Sequence, residues 1–132
     1  MSRLIGLGEE FAHQGMYREA AAKYDEALSL AQKAADKRMQ LRCLCPLGEY
    51  RRLLGETDAA RSNFALCQSL SMELRDPLQT GKALRGLGDL ERTLGNNDLA
   101  RQHYGEARSL FQKVGNQDRP GRADLLRVLR DR

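Results

Sequence analysis

The chain has no tryptophan, and among its 132 residues there are only two histidines, three cysteines and three prolines. Each shortage removes a class of protein. No apolar run approaches the eighteen or more residues that a membrane span needs. The first thirty residues read as a charged helical hairpin and not as a signal peptide, so a cytoplasmic protein with no membrane partner is expected. An odd number of cysteines without a disulfide-rich pattern favours a reducing compartment. Cys43 and Cys45 are two apart, and no other Cys or His completes a familiar ligand set, so neither a metal nor a cofactor is expected. Cys67 reads as a small buried residue. His13 and His103 fall on different segments, and there is no Ser–His–Asp set, phosphate loop or metal-ligand pattern. No catalysis is expected.

What the chain does have is helix-forming composition and charge. Ala, Leu, Arg, Glu and Gln dominate, all residues that favour helix. The length is that of one domain. The net charge of +4 is unevenly placed: residues 1–40 carry six basic and six acidic side chains, residues 41–80 five and five, and residues 81–132 eleven and seven. Seventeen of the twenty-two bases are arginine, which suits bidentate recognition of carboxylate or phosphate.

One pattern organises the chain. Leu87, Gly88, Gly95, Ala100, Tyr104, Ala107 and Leu110 are preceded forty residues earlier by Leu47, Gly48, Gly55, Ala60, Phe64, Cys67 and Leu70. Forty earlier still stand Leu7, Gly8, Gly15, Ala20, Tyr24, Ala27 and Leu30. A fixed period of this size marks a stacked repeat protein, whose core lies between neighbouring repeats.

Within each copy, apolar residues recur at helical spacing on either side of a glycine, which predicts two helices joined by a short turn. The expected helices span 2–14 and 17–35, then 37–54 and 57–75, then 77–94 and 97–114. Gly15 and its equivalents supply the left-handed residue at the turn. Asp36, Asp76 and Asn116 stand at the repeat boundaries as caps for the helix that follows, and Pro77 occupies a first-turn position. Thr57 and Asn97 are favourable starts for the second helices; the first copy lacks one, and fraying is expected there. Pro46 lies inside a helix, and a kink near residues 42–45 is expected. The mid-helix glycines Gly8, Gly48 and Gly88 cost roughly 1 kcal/mol each relative to alanine. Close approach of a partner helix at Ala20, Ala60 and Ala100 is the expected reason. The aromatics Tyr24, Phe64 and Tyr104 are expected to fill the space between a hairpin and the next repeat.

Leu-Gly, Gly seven later, Ala five after that, an aromatic four later and Ala three later resembles the tetratricopeptide repeat (TPR) pattern, in register three times. The forty-residue period is similar to the long-repeat subgroup that includes the LGN/Pins polarity adaptors, and to bacterial TPR arrays. The large residue expected three after Leu-Gly is Phe11 in the first copy but Arg51 and Glu91 in the others, with Tyr50 and Leu90 as neighbouring substitutes. The resemblance implies an all-α, right-handed solenoid of three helical hairpins plus a C-terminal capping helix, seven helices in all. Repeats at 1–36, 37–76 and 77–116 and a cap at 119–131 would form a single domain.

It also implies a concave groove, lined by the first helix of each hairpin, that binds a peptide or a segment of a protein partner. The positions expected to face it are Ser2, Ile5, Glu9, Ala12 and His13; Arg42, Cys45, Glu49, Arg52 and Leu53; and Lys82, Arg85, Asp89, Arg92 and Thr93. Glu9, His13, Arg42, Glu49, Arg52, Lys82, Arg85, Asp89 and Arg92 are the candidate peptide-binding residues. Glu49–Arg52 and Asp89–Arg92 can pair along one helix face. The alternative is that Arg42, Arg52, Lys82, Arg85 and Arg92 form a basic inner surface for an acidic peptide, while Glu9, Glu49 and Asp89 accept hydrogen bonds from its backbone. A chaperone-type carboxylate clamp is not matched, because its positions hold Ile5, Glu9, Pro46, Lys82 and Gly86 and only Lys82 fits. Two other readings stand beside this one. The basic last third offers nonspecific phosphate attraction to a nucleic acid, against which the scarcity of aromatics argues. A structural module, self-associating through the open ends of the stack or cut from a larger regulatory protein, is the other.

Overall fold

The computed structural model describes residues 1–118, with side chains through Gly115, as six helices. These are α1 (Ser2–His13), α2 (Tyr17–Lys33), α3 (Lys37–Leu53), α4 (Thr57–Glu73), α5 (Pro77–Thr93) and α6 (Asn97–Asp118). Each packs on its neighbours in the chain, and α3 also meets α5 directly. The described part is therefore a row of three hairpins. Among the described residues no helix is long and apolar enough to cross a membrane. The capping helix expected at 119–131 lies outside the described residues.

The turns explain the period. Within each hairpin a glycine takes φ of 76°, 80° or 85° at Gly15, Gly55 and Gly95. The backbone N–H three residues past each of these helices closes back on it, from Met16 to the Phe11 carbonyl at 2.9 Å, and likewise from Glu56 to Arg51 and from Asn96 to Glu91 at 2.8 Å. Between repeats the same left-handed turn is made by Ala35 and Arg75, at φ 53° and 56°. Asp36 and Asp76 then cap α3 and α5, accepting from the backbone N–H of Met39 at 3.0 Å and Gln79 at 3.1 Å. The third expected cap fails: Asn116 lies inside α6, which runs on to Asp118. Thr57 is not a cap either. It is the first residue of α4, just as Tyr17 begins α2, and neither helix start has a side-chain cap bond. The first copy is thus no worse begun than the second. Helix α3 runs unbroken through Pro46.

The glycines approach a ring and not only a partner backbone. A Cβ added at Gly8 would lie 2.7 Å from the Tyr24 ring, at Gly48 2.9 Å from Phe64, and at Gly88 2.7 Å from Tyr104. Each aromatic thus presses on the glycine of its own hairpin, where the sequence pointed to the next repeat alone. Phe64 does both: a Cβ on Gly86 of α5 would also overlap its ring, so it is held between two glycines. Ala20, Ala27, Ala60 and Cys67 are fully buried beside these rings. Leu47, buried completely between α2 and α3, contributes about 1.5–3 kcal/mol by its removal from water. Leu7, its equivalent in α1, is 36% exposed.

The two departures from the repeat pattern become ion locks between repeats. Arg51 of α3 donates to Asp25 of α2 at 2.6 Å and to Asn63 of α4 at 2.8 Å. Forty residues on, Glu91 of α5 accepts from Arg61 of α4 at 3.0 Å and from Asn96 at 2.6 Å. The sign is reversed while the function is kept. Leu90 fills the core beside Glu91, and Tyr50 packs against Tyr17 and Tyr24 with ring centroids 5.9 and 5.4 Å away. Hydrogen bonds from Asn96, and from Arg61 with its charge, hold the Glu91 carboxyl below the usual carboxylate range against the opposing effect of burial.

Two stability measurements follow. Gly86→Ala places a methyl group in the Phe64 ring and should destabilise by about 1–3 kcal/mol, whereas Gly105→Ala, an exposed site on α6 with nothing within 4 Å, should stabilise by about 0.5–1 kcal/mol. Urea unfolding of both reads the difference. Glu91→Gln should cost about 1–3 kcal/mol at pH 7. Because the folded carboxyl titrates below its unfolded range, that contribution is complete above the unfolded range and is lost as pH falls through the folded value. The gap between wild type and variant, followed by thermal melts, should close as pH falls below the unfolded carboxylate value of about 4.3.

Candidate functional site

A cavity of about 490 Å³ opens along the row of first helices. Its walls carry Glu9 of α1, Arg42 and Glu49 of α3, and Lys82, Arg85 and Asp89 of α5, and its floor holds the Tyr24 and Phe64 rings with Pro46 and Gly86. The helix register explains this assembly. Positions 2, 5 and 9 of the second and third copies recur at three- and four-residue spacing, so each helix sends one stripe to the same side. The paired approach of α3 and α5 brings the two stripes together.

Six of the nine candidate residues are therefore in the cavity wall. Arg52 and Arg92 are not, but each is tied to a wall residue. Arg52 donates twice to Glu49, at 2.5 and 3.2 Å, and this bond, more than the charge attraction, raises its pKa against desolvation. Arg92 lies 3.8 Å from Asp89. His13 is exposed at the end of α1 and takes no part in the cavity, and neither do Ala12, Leu53 or Thr93 of the same expected stripe. These positions, three or four beyond the acidic one, lie one turn farther along the same helix face, past the end of the cavity.

The structure adds what the sequence did not single out. Gln79 of α5 lines the cavity near its helix start. The Tyr104 hydroxyl donates to Asp89 at 2.5 Å, and burial together with that bond raises the phenol pKa. Asp89 is thus occupied twice, by Tyr104 and by Arg92. The Arg85 guanidinium stands 5.8 Å from the Phe111 ring centroid, a cation–π placement that links this wall residue to α6. A helix-wheel reading of α5 alone could not find Tyr104 or Phe111, because both come from α6.

The charges of the wall are consequently unequal in availability. Glu49 and Asp89 are engaged inside the molecule, while Arg42, Lys82 and Arg85 have no ion-pair partner among the described residues. Among the described residues no group of three or more His, Cys, Asp or Glu side chains could hold a metal. The Sγ atoms of Cys45 and Cys67 lie at bonding distance, with Cα atoms 6.0 Å apart, and Cys43 remains a free, buried thiol. Cys67 is fully buried, as expected, but is not merely a filler.

No family model matches the chain, and no curated protein matches it. Among solved structures it is similar to the TPR domain of FLU from Arabidopsis, with a TM-score of 0.78 and 18% identity over 84% of this chain and 93% of that one. At that identity the likeness shows the fold alone: an all-α arrangement of helical hairpins similar to that of a TPR domain.

If Asp89 is held as described, Tyr104→Phe should destabilise by about 1–2 kcal/mol without unfolding the groove. It should also remove one of the tyrosines that titrate abnormally late in an alkaline ultraviolet titration.

Proposed function

We propose that this chain is a protein–protein interaction module that takes an acidic segment of a partner protein into the groove formed by α1, α3 and α5, with no catalysis. The observation that carries this reading is the imbalance of available charge. With the internal pairs removed, Arg42, Lys82 and Arg85 face Glu9 alone. Charge-assisted hydrogen bonds to such cations contribute about 1.5–3 kcal/mol each. Three helices packed side by side span about 20 Å, which an extended strand covers in about six residues. Carboxylates of that strand would meet the cations, and Glu9 would accept from its backbone N–H groups. The floor of Phe64, Pro46 and Gly86 is apolar and shallow, suited to a small or aromatic side chain between the acidic ones. The TPR-type fold supports the coarser statement, since stacked helical repeats offer extended concave surfaces for binding.

A peptide array probed with the full chain tests this. Segments with two or more carboxylates in six residues should be enriched. The triple reversal Arg42→Glu, Lys82→Glu and Arg85→Glu should weaken them at least about tenfold, whereas Arg101→Glu on α6 should leave them unchanged. Unchanged binding by the triple variant, or capture of RNA with a steep salt dependence and of no peptide, would refute the assignment.

A further inference from the structure

We infer that Cys45 and Cys67 are a reversible dithiol–disulfide pair that ties the groove helix α3 to α4 within the second repeat. Their Cα separation of 6.0 Å falls inside the 4.4–6.8 Å that a disulfide spans. The two thiols differ in access. Cys45 is half-buried and lines the groove cavity, so a small solute reaches it from there. Cys67 is fully buried against Leu41, Leu44 and Ala83, with its Sγ 4.0 Å from the Gln79 carbonyl oxygen. Cys43, two positions before Cys45, faces the opposite way into the cluster of Ile5, Tyr24 and Leu47, where burial pushes its thiol up to about 11. It stays a neutral thiol at physiological pH and is no nucleophile. The Cys-Leu-Cys sequence therefore holds one reactive and one inert position.

Cys45 is the more accessible of the two thiols and borders the charged wall of the cavity. The charged groups on the cavity wall are Arg42, Lys82 and Arg85 on one side and Glu9, Glu49 and Asp89 on the other. Glu49 pairs with Arg52 and Asp89 with Arg92, which leaves an excess of unpaired cations on the wall of the cavity that Cys45 lines.

The oxidant is a low-molecular-weight disulfide. The Cys45 thiolate attacks one of its sulfurs, forming a mixed disulfide and expelling one small thiolate. Cys67 then loses its proton to solvent and attacks the Cys45 sulfur, so that the protein disulfide forms and the second small thiol leaves. Two protein thiols are oxidised, and one small disulfide is reduced to two thiols. The product closes a loop of sequence separation 22, which restricts the unfolded chain. It also fixes α4 one turn from Phe64, the ring on the groove floor. An effect on ligand binding rests on the groove reading above; the redox chemistry does not.

The full chain is reduced, equilibrated with graded ratios of reduced to oxidised glutathione, denatured, alkylated with iodoacetamide and weighed. We expect a single step from three alkylated thiols to one, reversed by dithiothreitol, and a melting temperature higher by about 5 °C or more in the oxidised form. Cys43→Ser should retain the step, and fragmentation of the wild-type linked peptides should place the bond at Cys45. Cys45→Ser should abolish it, leaving two alkylated thiols at every ratio. Three alkylated thiols in the wild type at every ratio, a bond between Cys43 and Cys67, or a mixed disulfide that persists on Cys45 would each overturn the pair.

Discussion

The close contact between a mid-helix glycine and an aromatic ring is the constraint on which the stack depends. Gly8 under Tyr24, Gly48 under Phe64 and Gly88 under Tyr104 bring the two helices of each hairpin near enough that no Cβ fits between them. The helix-propensity cost of each glycine is offset by the burial of a large ring. Because the ring sits at the joint, it sets the depth at which the next hairpin docks. Phe64 shows this most fully, being held by Gly48 of its own hairpin and Gly86 of the next. That second glycine is also what leaves a shallow floor in the groove. Stack geometry and site geometry thus come from one contact.

Repetition alone would leave the order of repeats poorly specified, since each interface would resemble the others. The ion locks remove that ambiguity. The first interface is closed by an arginine on α3 reaching back to Asp25, the second by a glutamate on α5 receiving Arg61. Placing the third hairpin directly on the first would set Glu91 among the residues that accept from Arg51, acid against acid. The cost of like charges at a half-buried joint favours the native order.

In the groove, composition misleads and pairing decides. The wall contains as many acids as bases. Two of the three acids are consumed inside the molecule, one by Arg52 and one by Tyr104 and Arg92. The wall charges left without an internal ion pair among the described residues are Arg42, Lys82, Arg85 and Glu9. Arg52 and Arg92 lie outside the cavity lining and face Glu49 and Asp89.

Much of the architecture was determined by the sequence alone. A register repeated three times fixes six helices, their turns at Gly15, Gly55 and Gly95, and the stripe that faces the groove, because helix periodicity and left-handed turns are local properties of the chain. Asp36 and Asp76 were legible as caps for the same reason; Asn116 was not, since a residue of this type lies inside a helix when no turn precedes it. Tertiary structure decided everything that joins residues from different helices. It tied Asp89 to Tyr104, set Arg85 beside Phe111, turned His13 out of the site, and gave Arg51 and Glu91 their partners. It also separated Cys43 from Cys45, sending one to the core and the other toward Cys67. Residues two positions apart on one helix point about 200° apart, and only the neighbours packed around that helix determine what each direction means.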